Sequence, residues 1–196
     1  LLLAALFVMT SCGKEEPQAP TIEKHPVEVI DGQFTPEIMH QLGKISDLQI
    51  SPSGEKVLYG VTYTDIALNK GQRHLYLMNV DGSDNKQITH FAKSVSNARW
   101  IDDTQIAFIM GGQIYVWNMA NGGEPVKISD VEGGIEGFEL SPDGTQLMYV
   151  SQVKSAVKPT DDYPDLDKSS GRTITDLMYR HWDHFVETIP HTYVAS

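Results

Sequence analysis

Leu140-Ser141-Pro142-Asp143-Gly144 restates Ile50-Ser51-Pro52-Ser53-Gly54 from 90 residues earlier in a chain of 196. Each copy leads into an apolar run, Leu147-Met148-Tyr149 in one case and Val57-Leu58-Tyr59 in the other. Pro presets φ and Gly accepts the positive φ that follows, so the phrase is a tight turn between strands. A worn third copy, Trp100-Ile101-Asp102-Asp103-Thr104, stands between the two. Self-similarity at about 45 residues with a β-type pattern is the mark of a β-propeller blade.

The stretches around the turns read as one unit used repeatedly. Val57 to Tyr63 alternates, with Val57, Tyr59, Val61 and Tyr63 on one face. Asp65 to Arg73 reads as a polar loop, and His74 to Val80 as the next strand, closed by the turn Asp81-Gly82. Gln105 to Met110 and Gln113 to Met119 form a second pair around Gly111-Gly112. Leu75-Tyr76 aligns with Ile114-Tyr115, and Gln87-Ile88-Thr89 with Lys127-Ile128-Ser129. A third unit opens at Gly137 and continues through Leu147 to Val153. A polar insertion from Lys154 to Arg172 interrupts it, and His191-Thr192-Tyr193-Val194 reads as a later strand of the same unit. Ahead of the repeats, Thr35-Pro36 can cap and open a short helix that ends at Gly43, with Ile38, Met39 and Leu42 facing inward.

The expectation is an all-β chain: an incomplete propeller of about three to four blades with a short N-terminal helix. The propeller would occupy residues 34–196, with blades near 44–90, 91–130 and 131–196. Closed rings carry about four to eight blades, so the ring would need further chain to close.

Residues 1–11 read as part of a secretory signal peptide, because the apolar run Leu1 to Met9 is too short to cross a bilayer as a helix. Residues 12–33, rich in Pro and polar side chains, read as a tether. Cys12 is the only cysteine, which excludes an internal disulfide and a cysteine-built zinc site. The net charge of −11 excludes a nucleic-acid partner and electrostatic docking on anionic lipid.

Two segments carry family resemblances. Met9-Thr10-Ser11-Cys12-Gly13 resembles a bacterial lipobox, which implies cleavage before Cys12 and acylation of its side chain. The resemblance implies an outer-membrane lipoprotein of a Gram-negative bacterium, periplasmic or at the cell surface. Lys14-Glu15-Glu16 resembles the charged tag of surface-exported lipoproteins. The repeated turns, Leu75-Tyr76-Leu77-Met78-Asn79 with Ile114-Tyr115-Val116-Trp117-Asn118, and Tyr179-Arg180-His181-Trp182-Asp183 together resemble the N-terminal propeller of prolyl-oligopeptidase-family serine peptidases. The branch it looks like is that of the dipeptidyl-peptidases and acylaminoacyl-peptidases. That resemblance implies peptide substrates and a C-terminal α/β-hydrolase domain of the same chain, with the propeller gating and orienting the peptide.

The chain itself shows no catalytic apparatus. G-x-S-x-G does not occur, and Gly133-Gly134-Ile135-Glu136-Gly137 has Ile where the nucleophile would stand. No Walker loop, G-x-G-x-x-G or H-E-x-x-H is present. No cofactor and no metal site is expected: Asp81 to Asn85 reads as a hairpin turn rather than a calcium loop, and His181, Asp183, His184 and His191 lack a clear acidic partner. Asp161, Asp162 and Asp165, in the insertion, are the candidate substrate-binding residues. The resemblance implies that carboxylates there hold a peptide's free amino group. The alternative to a peptidase segment is a TolB-like periplasmic propeller that docks a protein partner.

Overall fold

A computed structural model describes residues 21–29, 31–154, 161, 163–169 and 188–196. The helix is α1, Pro36–Gln41, with Oγ1 of Thr35 accepting from the N–H of Ile38. Only Ile38 of its apolar residues is buried, and Met39 and Leu42 lie open to solvent. Six residues make less than two turns, which is too short to press a full stripe against the sheet.

Three antiparallel sheets follow. The first is β1 (Lys44–Ile50), β2 (Lys56–Asp65), β3 (Lys70–Asn79) and β4 (Lys86–Gln87), in that spatial order. The second repeats the order with β5 (Val95–Trp100), β6 (Gln105–Met110), β7 (Gln113–Asn118) and β8 (Val126–Lys127). A 3₁₀ turn, Met119–Asn121, follows β7. The third holds β9 (Gly137–Leu140), β10 (Leu147–Lys154) and β11 (Thr188–Ala195). The fold is thus a partial β-propeller, with each sheet a blade.

The polar loop expected at Asp65 to Arg73 is shorter in the structure. Lys70 to Arg73 continue β3, pairing with Asp65 to Thr62. Gln72 is buried in that extension although it is polar, which is why composition alone reads the stretch as a loop.

The register makes the repeat three-dimensional. Ile50 pairs with Val57, Trp100 with Ile106 and Leu140 with Leu147. Two residues on from each of these second-strand positions stands an aromatic ring, stacked on a tyrosine of the third strand. The pairs are Tyr59 with Tyr76 at 5.6 Å, Phe108 with Tyr115 at 6.1 Å and Tyr149 with Tyr193 at 5.2 Å. Cross-strand aromatic pairs stabilise a sheet beyond their buried area. The connection out of each complete blade is pinned alike: Oγ1 of Thr89 accepts from Leu75 N–H, and Oγ of Ser129 from Ile114 N–H, both at 2.8 Å. The worn middle turn is one residue shorter, since Ile101 N–H reaches Gln105 whereas Ser51 N–H reaches Lys56.

Alternate residues on each second strand face opposite neighbours. Leu58, Leu75 and Leu77 pack against Val95, Ala98, Ile106 and Phe108 of the second blade. Ala107, Ile109 and Ile114 pack against Phe138, Leu140, Leu147 and Tyr149 of the third. These two layers are the core between blades, as stacked repeats require.

Candidate functional site

The first strands of neighbouring blades lie against each other, β1 with β5 and β5 with β9. Each of the first two carries a bulge, between Ser46 and Gln49 and between Ser96 and Arg99. At the bulges Asp47 and Asn97 adopt φ of 55° and 50°. Asp and Asn tolerate this left-handed conformation better than other residues with a side chain. The bulge re-aims the side chain toward the next blade. Nδ2 of Asn97 donates to the carbonyl of Phe138 at 2.8 Å. Asp47 accepts from Nη1 of Arg99 at 3.0 Å and from Nη2 of Arg73 at 3.3 Å.

Arg99 then continues the chain of charges. Its Nε donates to Oε2 and its Nη2 to Oε1 of Glu139 on β9, at 2.9 and 2.5 Å, a two-pronged geometry that suits a guanidinium and a carboxylate. Hydrogen bonding to Glu139 raises the Arg99 pKa above its ordinary value; partial burial opposes that shift and the charge of Asp47 adds to it. One guanidinium thereby joins the first strands of all three blades. Gly60 leaves room beside it: a Cβ there would have to displace the guanidinium of Arg73, which crosses β2 toward Asp47. The sequence signal for this network is the pair Ser46-Asp47-Leu48-Gln49 and Ser96-Asn97-Ala98-Arg99, which lies within the strands and outside the turn phrases.

Strand direction sorts the loops onto two rims. Lys44, where the chain enters β1, pairs with Thr62 near the end of β2. The β2–β3 connection, the Gly111-Gly112 turn and the end of β10 at Lys154 therefore share the rim of chain entry. A blade of four antiparallel strands also leaves by that rim. The Ser-Pro turns and the Asp81-Gly82 turn lie on the other. There Ser141 and Thr145 hydrogen-bond Asp143, which lowers its carboxyl pKa to about 2 from 3.8.

That shift fixes a pH effect. A carboxyl with a depressed folded pKa adds stability above its unfolded pKa and loses it as pH falls toward the folded value. Asp143 should contribute fully above 3.8 and cease to contribute as pH drops to about 2. Asp143→Asn is expected to flatten the fall of the urea midpoint through this window, relative to the parent sequence. Identical pH profiles would show that the turn does not use the charge.

The predicted substrate residues lie partly within the described structure. Asp161 accepts from Nζ of Lys154 through both oxygens, at 2.6 and 2.7 Å. Asp165 is exposed, in a turn where Leu166 N–H bonds Tyr163 and Ser169 N–H bonds Leu166. Asp162, Cys12 and the Tyr179 to Asp183 segment lie outside the described residues. So do His181 and His184, while His191 sits on β11, paired with Ser151. The structure joins Asp161 to the end of β10 on the rim of chain entry. An open cleft of about 350 Å³ lies elsewhere, between the first two blades near Leu77, Trp117 and Met119. Among the described residues no three His, Cys, Asp or Glu side chains converge as a metal ion would require. No helix among them is long and apolar enough to cross a membrane.

No family model matches the chain. Similar proteins are nevertheless plain. The chain is 41% identical over 167 residues to dipeptidyl-peptidase 5 of Porphyromonas endodontalis, covering 83% of this chain and 24% of that protein. It is 43% identical over 167 residues to dipeptidyl-peptidase 5 of Porphyromonas gingivalis, with the same coverage. A solved acylaminoacyl peptidase in complex with Z-Gly-Gly-Phe-chloromethyl ketone has the same fold, with a TM-score of 0.57 at 17% identity over 80% of this chain and 24% of that one. The chain thus spans about a quarter of the length of the relatives it matches. With the blade repeat, the likeness to the two dipeptidyl-peptidases identifies the chain as a propeller segment of the prolyl-oligopeptidase family of serine peptidases, of the dipeptidyl-peptidase kind.

Proposed function

We propose that this segment opens the propeller of a serine peptidase that releases short units from peptide N-termini, and that it gates and orients the peptide. The identity of 43% over 167 residues to a dipeptidyl-peptidase 5 carries the reading. The topology supports it. With four strands per blade, chain entry and exit share one rim, so a domain joined to the ring's ends sits on that rim. Asp161, bonded by Lys154 at the end of β10, is on the same side, and Asp162 and Asp165 follow it in sequence. A peptide ammonium reaching Asp161 would compete with Lys154 for the carboxylate, so Lys154 tunes how strongly the loop holds a cation. Bond cleavage belongs to the hydrolase domain: a serine oxygen attacks the carbonyl, the amine leaves with a proton from the catalytic histidine, and water releases the acyl group.

The parent protein tests this directly. It should react with a fluorophosphonate probe and release the fluorophore from dipeptidyl-coumarin substrates. Replacing the serine of its G-x-S-x-G motif should abolish both. A parent with no such motif and no labelling would overturn the peptidase reading and favour a propeller that binds a protein partner. Attachment to the outer membrane through Cys12 is part of the same proposal, supported by the Met9 to Gly13 phrase. Cys12→Ser should move the parent from the membrane fraction to the soluble one; unchanged fractionation would overturn the anchor.

A further inference from the structure

The chain ahead of the first blade does more than lead into it. Ile22 is 6% exposed and packs in a layer with Val57, Tyr59, Val61 and Tyr63. Its N–H donates to Oε1 of Gln72 at 2.5 Å, and its carbonyl is bonded by Nε2 of His74 at 2.8 Å. A carbonyl only accepts, so His74 carries a proton on Nε2. Both partners are buried on β3. Next along, Glu23 reaches Nδ1 of His90 at 3.2 Å.

The second blade shows the same place without a strap. There Gln113 stands in the register of His74 and bonds only the connection leaving its own blade. Its Nε2 donates to the carbonyl of Val131, and its Oε1 accepts from Val131 N–H at 3.0 Å. In the first blade Nε2 of Gln72 still holds the matching connection, at the carbonyl of Phe91. Its Oε1 is given to Ile22 instead. Burying polar side chains is unfavourable unless they are bonded, so two of them committed to one backbone residue make a dedicated dock.

The docked face is the one turned away from the second blade. On β1 the apolar residues of that face are Ile45, Leu48 and Ile50, and they are 64%, 61% and 64% exposed. Their counterparts on β5 are Val95, Ala98 and Trp100, which pack against the first blade. On the third blade they are Ile135, Phe138 and Leu140, which pack against the second. Position by position, then, the first blade presents a surface that its two successors fill with a preceding blade. Ile22 covers the β2 and β3 side of it and leaves β1 open.

We propose that residues 21–23 form a strap built into the ring-closing interface, so that the parent's closing blade seats on Ile45, Leu48 and Ile50 and against the docked Ile22. This rests on the reading of the chain as the opening blades of a larger ring. The occupant is a blade of the same chain because the uncovered residues repeat those that blades cover. The similar proteins also extend over about four times the matched length, at 24% coverage.

Hydrogen exchange on the full-length parent tests the strap. Peptides containing Ile22 and those of β1 should both be protected. Ile22→Asp should speed exchange at the strap and at β1 and β2 by about tenfold or more, leaving β6 and β7 unchanged. Ile22→Ala should give the same pattern more weakly, and serves if the aspartate variant does not fold. Lys24→Gln, at the exposed residue that follows the strap, should change nothing. Free-chain exchange at Ile22 in the unaltered protein would overturn the strap. So would a variant that frees the strap without touching β1. Loss of β1 protection on dilution would show a second copy as occupant and overturn the closing-blade assignment. An inactive parent with a protected strap removes the peptidase reading alone, and an active parent with a free strap removes the strap alone.

Discussion

Phe108→Ala is expected to lower the stability of the propeller by about 3–5 kcal/mol, the usual loss for a buried aromatic ring replaced by a methyl group. Phe108 is fully buried and stacks on Phe91 at 6.2 Å and Tyr115 at 6.1 Å. One partner comes from the connection leaving the first blade and the other from its own sheet. The ring thus belongs to the layer between blades as well as to its own blade. A cavity there loosens both, because neighbouring blades bury each other's faces. Phe108→Leu keeps most of the volume and should cost about 1–2 kcal/mol. Urea denaturation of the full-length parent reads the difference as a shift in midpoint. An alanine variant within about 1 kcal/mol of wild type would mean that this layer is not a working core.

Arg99→Ala should have the next largest effect. Its guanidinium and the Asp47 carboxylate are 19% and 20% exposed, while Glu139 is 53% exposed. Removing one partner from a largely desolvated pair leaves the other charge poorly compensated. The arm to Glu139 is open to water and contributes less. Arg73 remains to neutralise Asp47. The expected loss is therefore about 1–3 kcal/mol, below that of a fully buried pair. Arg99→Lys should restore little, since an ammonium cannot hold Glu139 in two places while reaching Asp47. A cycle with Asp47→Ala should return a coupling of about 1 kcal/mol. Raised salt should weaken the Glu139 arm more than the Asp47 arm. If Arg99→Ala and its parent unfold at the same urea concentration, the blades are held by apolar packing alone.

Both substitutions act on contacts between blades, which no local pattern in the sequence marks. The turns were legible because their cause is local. Pro and Gly at Ser51 to Gly54 and Ser141 to Gly144 constrain only their own dihedral angles. The hairpin at Gly111-Gly112 was legible for the same reason, with φ of 60° and 75° at its two glycines. The Thr35 cap needs only a hydroxyl three residues before the amide it serves. Strand alternation placed Val57, Tyr59, Val61 and Tyr63 on one face, and all four are buried there.

What lay beyond the sequence joins residues distant along the chain. Arg99 meets Asp47 and Glu139, 52 and 40 residues away. Ile22 meets Gln72 and His74, 50 and 52 residues away. Nothing in the Pro-rich composition around Ile22 marks that residue as docked. Met39 and Leu42 show the converse, apolar side chains whose helix is too short to bury them. By itself the sequence determined the repeat, its turns and the strands between them, because dihedral preference and period-2 burial act over a few residues. Only the tertiary structure decided which blade face meets which side chain, where the charges pair and where the leading segment docks. Those choices depend on the approach of surfaces that no local preference brings together.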